Sequence, residues 1–221
     1  MRTRCEVDEA DGWEPAGESR AWLHAELFEA LAGINEECLE LLAAQSLVRA
    51  IQPHPLLREL AELWRTLDAS ARRRAAGCPY LIVDAGFADA RRWRFPSGHE
   101  VSEPGASGAG LPFFTVPGAN AVVRRVLQYA RELARNHNVA ARMLLGMPAH
   151  CATLIAGCSL REIDDIAERH PAWLRPRWPG RVQVWREFLT TARLGEGTAL
   201  ELARMHGVQL LAAELRSSTV P

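Results

Sequence analysis

Residues 136–178, NHNVAARMLLGMPAHCATLIAGCSLREIDDIAERHPAWLRPRW, carry the clearest helix punctuation in the chain. Asn138 is placed to cap a short helix, Val139–Leu145, that Gly146 stops by entering a left-handed conformation without steric cost. Pro148 suits the first turn of the next helix, which puts Cys151, Leu154, Ile155 and Cys158 on one side. Ser159, with Glu162 three residues on, makes a capping box, so a further helix starts at Leu160 and turns Leu160, Ile163, Ile166 and Ala167 inward. Pro171 ends it. Trp173–Trp178 alternates large apolar with basic or rigid residues, and this exit is expected to be extended with Arg175 and Arg177 exposed. Just upstream, Asn120 is placed to cap a longer helix whose Val123, Val126, Leu127, Ala130, Leu133 and Ala134 recur at three and four.

The same signals recur on either side. Ser19 is placed to cap a helix to Leu31, with Leu23, Leu27, Phe28 and Leu31 inward, and Gly33 is expected to stop it. Asn35 then caps a second helix whose first turn carries Glu36 and Glu37 and whose buried side holds Cys38, Leu41, Leu42 and Leu47. Gln52-Pro53-His54-Pro55 breaks the chain, a helix with Leu56, Leu57, Leu60, Ala61 and Trp64 follows, and Asp68 caps another that Gly77 ends. Tyr80–Val83 is a short buried extended run. Beyond Pro179-Gly180 a helix is expected from Val182 to about Arg193, then a last one opened by a Thr198–Glu201 box and running to about Arg216.

Composition narrows the class. The chain has 221 residues and 48% hydrophobic content, enough for a sizeable core, and its 26 basic and 27 acidic residues exclude a general polyanion binder. Every basic residue other than histidine is Arg, the side chain suited to bidentate contact with carboxylate or phosphate. Residues 1–117 hold 12 Arg against 18 acids and residues 118–221 hold 14 against 9, so the two halves differ in electrostatic character. No signal peptide opens the sequence and no apolar run approaches membrane-spanning length, so a cytoplasmic protein without membrane contact is expected. Five cysteines in mostly apolar settings are expected as buried free thiols. Residues 95–119 are so rich in Gly and Pro that a domain boundary is expected there. The expected organisation is all-α: a flexible acidic N-terminus (1–18), a helical module with an inserted helix (19–94), a flexible linker (95–119) and a second helical module (120–217), each module with a short extended segment.

An internal similarity runs through these modules. Leu31-Ala32-Gly33-Ile34 with Cys38, Leu41 and Leu42 aligns with Leu144-Leu145-Gly146-Met147, Cys151, Leu154 and Ile155 at an offset of 113, and Cys78-Pro79-Tyr80-Leu81 aligns with His170-Pro171-Ala172-Trp173 at an offset of 92. Two related helical modules account for this; so does the general likeness of any two helix–Gly–helix units. Residues 121–216 resemble the FlhD-type subunit of the bacterial flagellar master transcriptional activator. The resemblance rests on the long first helix, the short helix ending at Leu144-Leu145-Gly146, and the helix from Pro148 to Gly157. It continues through the Ser159-Leu160 start, the aromatic–basic exit at Trp173–Trp178 and Met205-His206-Gly207-Val208 in the last helix. Residues 19–94 echo it in Gly33-Ile34-Asn35-Glu36-Glu37. The resemblance implies a dimer-forming, non-enzymatic subunit that works with an FlhC-type partner, which carries much of the DNA contact, to recruit RNA polymerase. That family has one short module; two here imply a fused pseudo-dimer or a homo-oligomer. The fold kept with a changed partner would give a protein–protein adaptor or scaffold of a motility or secretion system instead.

The remaining candidates are weighed against plainer accounts. His150, Cys151, Cys158 and His170 lack a zinc-ligand spacing, and core cysteines explain the pair. Cys78, with Asp84 and His99 in the neighbouring sequence, has no recognisable nucleophile spacing. Gly105–Gly110 has glycines without the strand-to-helix setting of a phosphate loop. No catalytic residue, metal or cofactor is expected. Arg175, Arg177, Arg181 and Arg186 are the candidate nucleic-acid contacts, although a solvated face or pairing with an acidic partner is the plainer and favoured account. Trp173, Trp178, Trp185, Met205 and Leu210 are the candidate partner interface.

Overall fold

The computed structural model describes residues 16–50, 52–94 and 112–218. Residues 1–15 of the expected acidic lead-in and 95–111 of the expected linker lie outside the described residues. The described chain is all-α apart from one two-stranded ladder. In order, the elements are α1 (Ala16–Ser46), α2 (Pro55–Glu59), α3 (Ala61–Thr66), α4 (Ala69–Ala76), β1 (Val83–Asp84) and α5 (Ala90–Arg94). They continue with α6 (Ala119–Asn136), α7 (Asn138–Leu145), α8 (Ala149–Gly157), α9 (Leu160–Arg169), β2 (Arg175–Pro176), α10 (Val182–Leu194) and α11 (Gly197–Ser218).

Several local signals act as their chemistry requires. The Ser159 hydroxyl accepts from the Glu162 N–H and the Glu162 carboxylate accepts from the Ser159 N–H, so α9 opens on a complete capping box. Asp68 accepts from the Ala71 N–H at 2.7 Å and starts α4. Gly146, at φ +66°, ends α7, and α8 leaves at 116° to it. Three expectations are corrected. α1 runs unbroken through Gly33 and Asn35, because the Asn35 side chain is used in the core rather than at a helix start. α11 begins at Gly197, before Thr198, and the Glu201 carboxylate pairs with Arg204. Phe28, Leu47 and Leu160, expected to be buried, are 43%, 70% and 55% exposed.

Asn35 organises the first half. Fully buried inside α1, its amide nitrogen donates to Ala76 O at 3.1 Å and Tyr80 O at 2.9 Å, and its amide oxygen accepts from the Ile82 N–H at 3.0 Å. One side chain thus satisfies three backbone groups of the irregular 76–82 segment, whose burial would otherwise leave them unpaired. The segment it holds leads directly into β1.

The ladder carries an internal two-fold relation. β1 and β2 pair antiparallel, with Val83 opposite Pro176 and Asp84 opposite Arg175. Val83 and Arg175 stand 92 positions apart, as do Asp84 and Pro176, so exchanging counterparts leaves the register unchanged. The spacing extends outward. α5 and α10 begin at Ala90 and Val182, and the left-handed residues Gly86 (φ +74°) and Trp178 (φ +47°) correspond. So do Trp93 and Trp185, whose indole N–H groups donate back to the turn behind them, at Gly86 O (3.0 Å) and Arg177 O (2.8 Å). Upstream, the caps Asp68 and Ser159 are 91 apart, and α1 and α6 end 90 apart, at Ser46 and Asn136.

Packing follows the same relation. α1 lies on α2, α3 and α4; α6 lies on α8 and α9; and the two long helices touch each other. The helix after each strand crosses to the opposite unit, α5 onto α8 and α10 onto α2, α3 and α4. One hydrophobic core therefore runs through 25–50, 52–94 and 112–217, with Leu31, Trp64, Leu81 and Trp93 in the same cluster as Leu127, Leu133, Ile163 and Trp185. The expected division between residues 19–94 and 120–217 is a division of sequence that this core crosses. The offset of 113 does not describe it either, since Gly33 continues a helix where Gly146 breaks one. α11 has no counterpart among the described residues. No single described helix is long and apolar enough to cross a membrane.

Candidate functional site

Where β2 ends, the chain turns past α11 and encloses a groove of about 590 Å³. Its walls are the ladder face (Asp84, Arg175), the turn after it (Trp178, Arg181) and the last turns of α11 (Leu210, Glu214), with Arg177 and Gly146 among its lining. Five of the nine sequence candidates meet here: Arg175, Arg177, Arg181, Trp178 and Leu210.

Arg177 does not stand where alternation put it. It is 5% exposed. Its backbone N–H donates to Ile82 O at 2.9 Å, its Nε donates to Leu81 O at 2.6 Å, and its Nη2 donates to Leu145 O. Leu145 ends α7, so the guanidinium occupies the negative end of that helix dipole and satisfies a carbonyl that has no intrahelical donor. Nη1 faces Glu214 at 3.5 Å. Arg177 is therefore a buried tie joining the segment that leads into β1, α7 and α11, which corrects its assignment as a nucleic-acid contact. The alternation of Trp173–Trp178 fails at this point because Trp178 takes a left-handed backbone, a rare conformation for a bulky residue.

The rim is different. Arg175 and Arg181 are exposed, and neither has an ion-pair partner among the described residues. Glu214 is about half exposed (49%); burial raises its carboxyl above the ordinary range, Arg177 opposes this, and Asp84 adds to it. Asp84 itself accepts from the backbone N–H groups of Gly86 and Phe87.

The other candidates lie apart from the groove. Trp185 is buried against Trp64 (5.9 Å between ring centroids), a core residue and not an exposed interface anchor. Arg186 donates to Glu59 O at 3.4 Å. Trp173 is half-buried beneath a stack: His170 lies parallel to it at 4.4 Å, Arg92 sits 5.2 Å above its ring, and Trp93 meets it edge-on at 5.8 Å. Burial, then the charges of Arg169 and Arg92, lower the His170 pKa. Met205 is 53% exposed on α11.

The four described cysteines are core groups; Cys5 lies outside the described residues. Cys38, Cys78, Cys151 and Cys158 are free and buried, and burial pushes the thiols of Cys78 and Cys151 up to about 12 and about 11. The Cys78 thiol donates to Tyr80 O at 3.1 Å, an arrangement that favours the protonated sulfur over a nucleophilic thiolate. Among the described residues, no three His, Cys, Asp or Glu side chains converge as a metal site.

Sequence reasoning missed three positions that build the site. Glu214 looks like any charged residue on a terminal helix. Tyr80 and Gly207 form a close contact in which a Cβ on Gly207 would lie 2.0 Å from the Tyr80 hydroxyl, so the glycine lets α11 seat against the segment leading into β1. A glycine inside a helical pattern was the available signal, because such a residue costs helix stability unless packing requires it. Comparison with known protein families, characterised proteins and solved structures finds no match to this chain.

Proposed function

We propose that this chain is a cytoplasmic, non-enzymatic subunit of a transcription-regulating complex of the flagellar-activator type, a fused pseudo-dimer that acts through a DNA-binding partner of the FlhC type. The observation that supports this reading is the internal two-fold. Two units paired strand to strand, with α5 and α10 exchanged between them, put a paired architecture into one chain. The FlhD-type resemblance implies a subunit that pairs. RNA polymerase is the further partner that the same resemblance implies.

One observation favours the adaptor alternative, a scaffold of a motility or secretion system without DNA contact. With Arg177 buried, Arg175, Arg181 and Arg186 remain of the candidate basic surface, and Arg175 and Arg186 each already donate to a backbone carbonyl at 3.4 Å. Three phosphate contacts give a salt dependence of at most about three logarithmic units per tenfold change in salt, too little for firm binding by this chain alone. DNA contact therefore belongs to the partner in the first reading and is absent in the second.

Recovery of the tagged full chain from its native cytoplasm at low and high salt, with bound proteins and DNA identified, separates the two. A DNA-binding partner or RNA polymerase, with DNA lost at high salt, supports the regulator. Motility or secretion components free of DNA at every salt concentration support the adaptor and overturn the regulator.

A further inference from the structure

We propose that the groove between β2 and the last turns of α11 receives an acidic segment of a protein partner, and that Glu214 is its resident, displaceable occupant. This rests on the reading of the chain as a binding subunit and names the chemistry of what it binds.

Four features converge on that groove. Its volume of about 590 Å³ is that of a formed site. Its floor presents Arg177, a guanidinium 95% removed from solvent and fixed through two carbonyls, whose Nη1 is aimed at a carboxylate 3.5 Å away. Its rim carries Arg175 and Arg181, which have no ion-pair partner among the described residues. Its wall includes Trp178 in a left-handed backbone, where the two-fold counterpart is Gly86; strain of this kind is held only where the surroundings impose it.

The occupant already present defines the ligand chemistry. Glu214 projects a carboxylate from a helix onto Arg177, and the charge of Arg181 acts on the same group. The contact is long, at 3.5 Å, and Glu214 is half exposed, so another carboxylate can take it over. An acidic segment exchanges carboxylate for carboxylate on Arg177 and adds contacts to both rim arginines. Trp178, Pro179 and Leu210 supply the apolar area of a protein interface. Asp84 and Glu214 line the same walls and oppose any anion, a polyphosphate more strongly than spaced single carboxylates because it concentrates more charge in the same volume.

Fluorescence anisotropy of fluorescein-labelled hexaglutamate with the full chain at low salt tests this. Binding is expected, at least threefold tighter for E214Q and at least tenfold weaker for the R175A/R181A double variant, with far-UV circular dichroism checking that each variant is folded. E196Q removes the same charge from the exposed α10–α11 turn and is expected to leave the affinity unchanged. Absence of binding, no gain in E214Q, an equal gain in E196Q, or retention in R175A/R181A overturns the proposal. Displacement of the peptide by a DNA duplex at lower charge concentration overturns it in favour of a phosphate site. Recovery of partners by a folded R175A/R181A chain that does not bind hexaglutamate removes the groove and leaves the subunit reading standing; failure of the wild-type chain to recover any partner removes the latter.

Discussion

Replacing Arg177 by Ala tests whether this side chain ties the fold together or reads a ligand. The change removes the donor to Leu81 O and the donor to Leu145 O, and takes the Arg177 charge away from Glu214. Each buried carbonyl stripped of its donor costs about 1–3 kcal/mol. Breaking a buried charged pair by removing one partner costs about 3–5 kcal/mol, but Glu214 is half exposed and recovers much of its hydration. The expected loss is therefore about 3–5 kcal/mol in total, a large share of an ordinary stability of about 5–15 kcal/mol. For a chain of this size that lowers Tm by roughly 8–15 °C. R175A, two residues away and exposed, is expected to stay within about 0.5 kcal/mol of wild type. R177K keeps the charge without the planar fork and falls between them. Urea unfolding followed by circular dichroism at 222 nm measures all three. An R177A chain as stable as wild type, or an R175A chain as unstable as R177A, refutes the assignment of Arg177 as a structural tie.

Asn35 gives a second test in the same assay: N35A orphans Ala76 O, Tyr80 O and the Ile82 N–H, and is expected to cost about 3–6 kcal/mol, whereas a loss under about 1 kcal/mol would mean the 76–82 segment is held by something else. The two glycines that look alike in sequence should respond with opposite sign. G33A, inside α1 with open space around it, stabilises by about 0.5–1 kcal/mol, and G146A, at φ +66° with Leu211 Cδ1 2.6 Å from the added carbon, destabilises by more than about 1 kcal/mol. G207A drives a methyl group into the Tyr80 ring and is expected to cost about 1–3 kcal/mol by shifting α11, visible as greater protease sensitivity of the C-terminal helix. Finally, burial lowers the pKa values of His54 and His170 in the folded chain, so the unfolded state takes up protons first; stability is full above pH 6.5 and falls as pH drops through the interval down to the folded values. H170Q should flatten part of that fall, and an unchanged profile would place the proton uptake elsewhere; the raised Glu214 carboxyl acts with the opposite sign, favouring the folded state as pH falls through its own range.

Helix chemistry that is complete within three or four residues was legible. The Ser159–Glu162 box, Asp68 before α4 and the left-handed Gly146 each depend on neighbours in sequence, so no distant contact is needed to specify them. Gly33 and Asn35 send an equally strong local signal, a stop followed by a cap, and the structure overrides it. The reason is energetic: an N-cap is worth about 1 kcal/mol, whereas the Asn35 amide in the core pairs three buried backbone groups that would otherwise be left bare. Residues far ahead in the chain decide the conformation at Asn35, and local reading has no access to them.

The candidate site was legible to the same degree and for the same reason. Alternation located Arg175, Arg177 and Trp178 on one short extended exit, and all three line the groove. Alternation also assumes a regular strand, and this one ends after a single cross-strand partner pair on either side of the axis. Past Pro176 the backbone turns left-handed at Trp178, and the arginine at that turn is drawn inward by carbonyls from two other elements. The two-fold explains why the inward pull exists on this side alone. Its counterpart turn, Asp84–Phe87, is closed by a local carboxylate accepting from Gly86 and Phe87, and the arginine beside it, Arg92 of α5, lies over Gly86 and pairs with Asp89 instead of reaching distant carbonyls. Among the described residues α11 has no counterpart; it brings Glu214 to one of the two turns and makes a groove there. Among the described residues the added helix is what distinguishes the two turns, and under the proposed reading the specificity of the groove resides there.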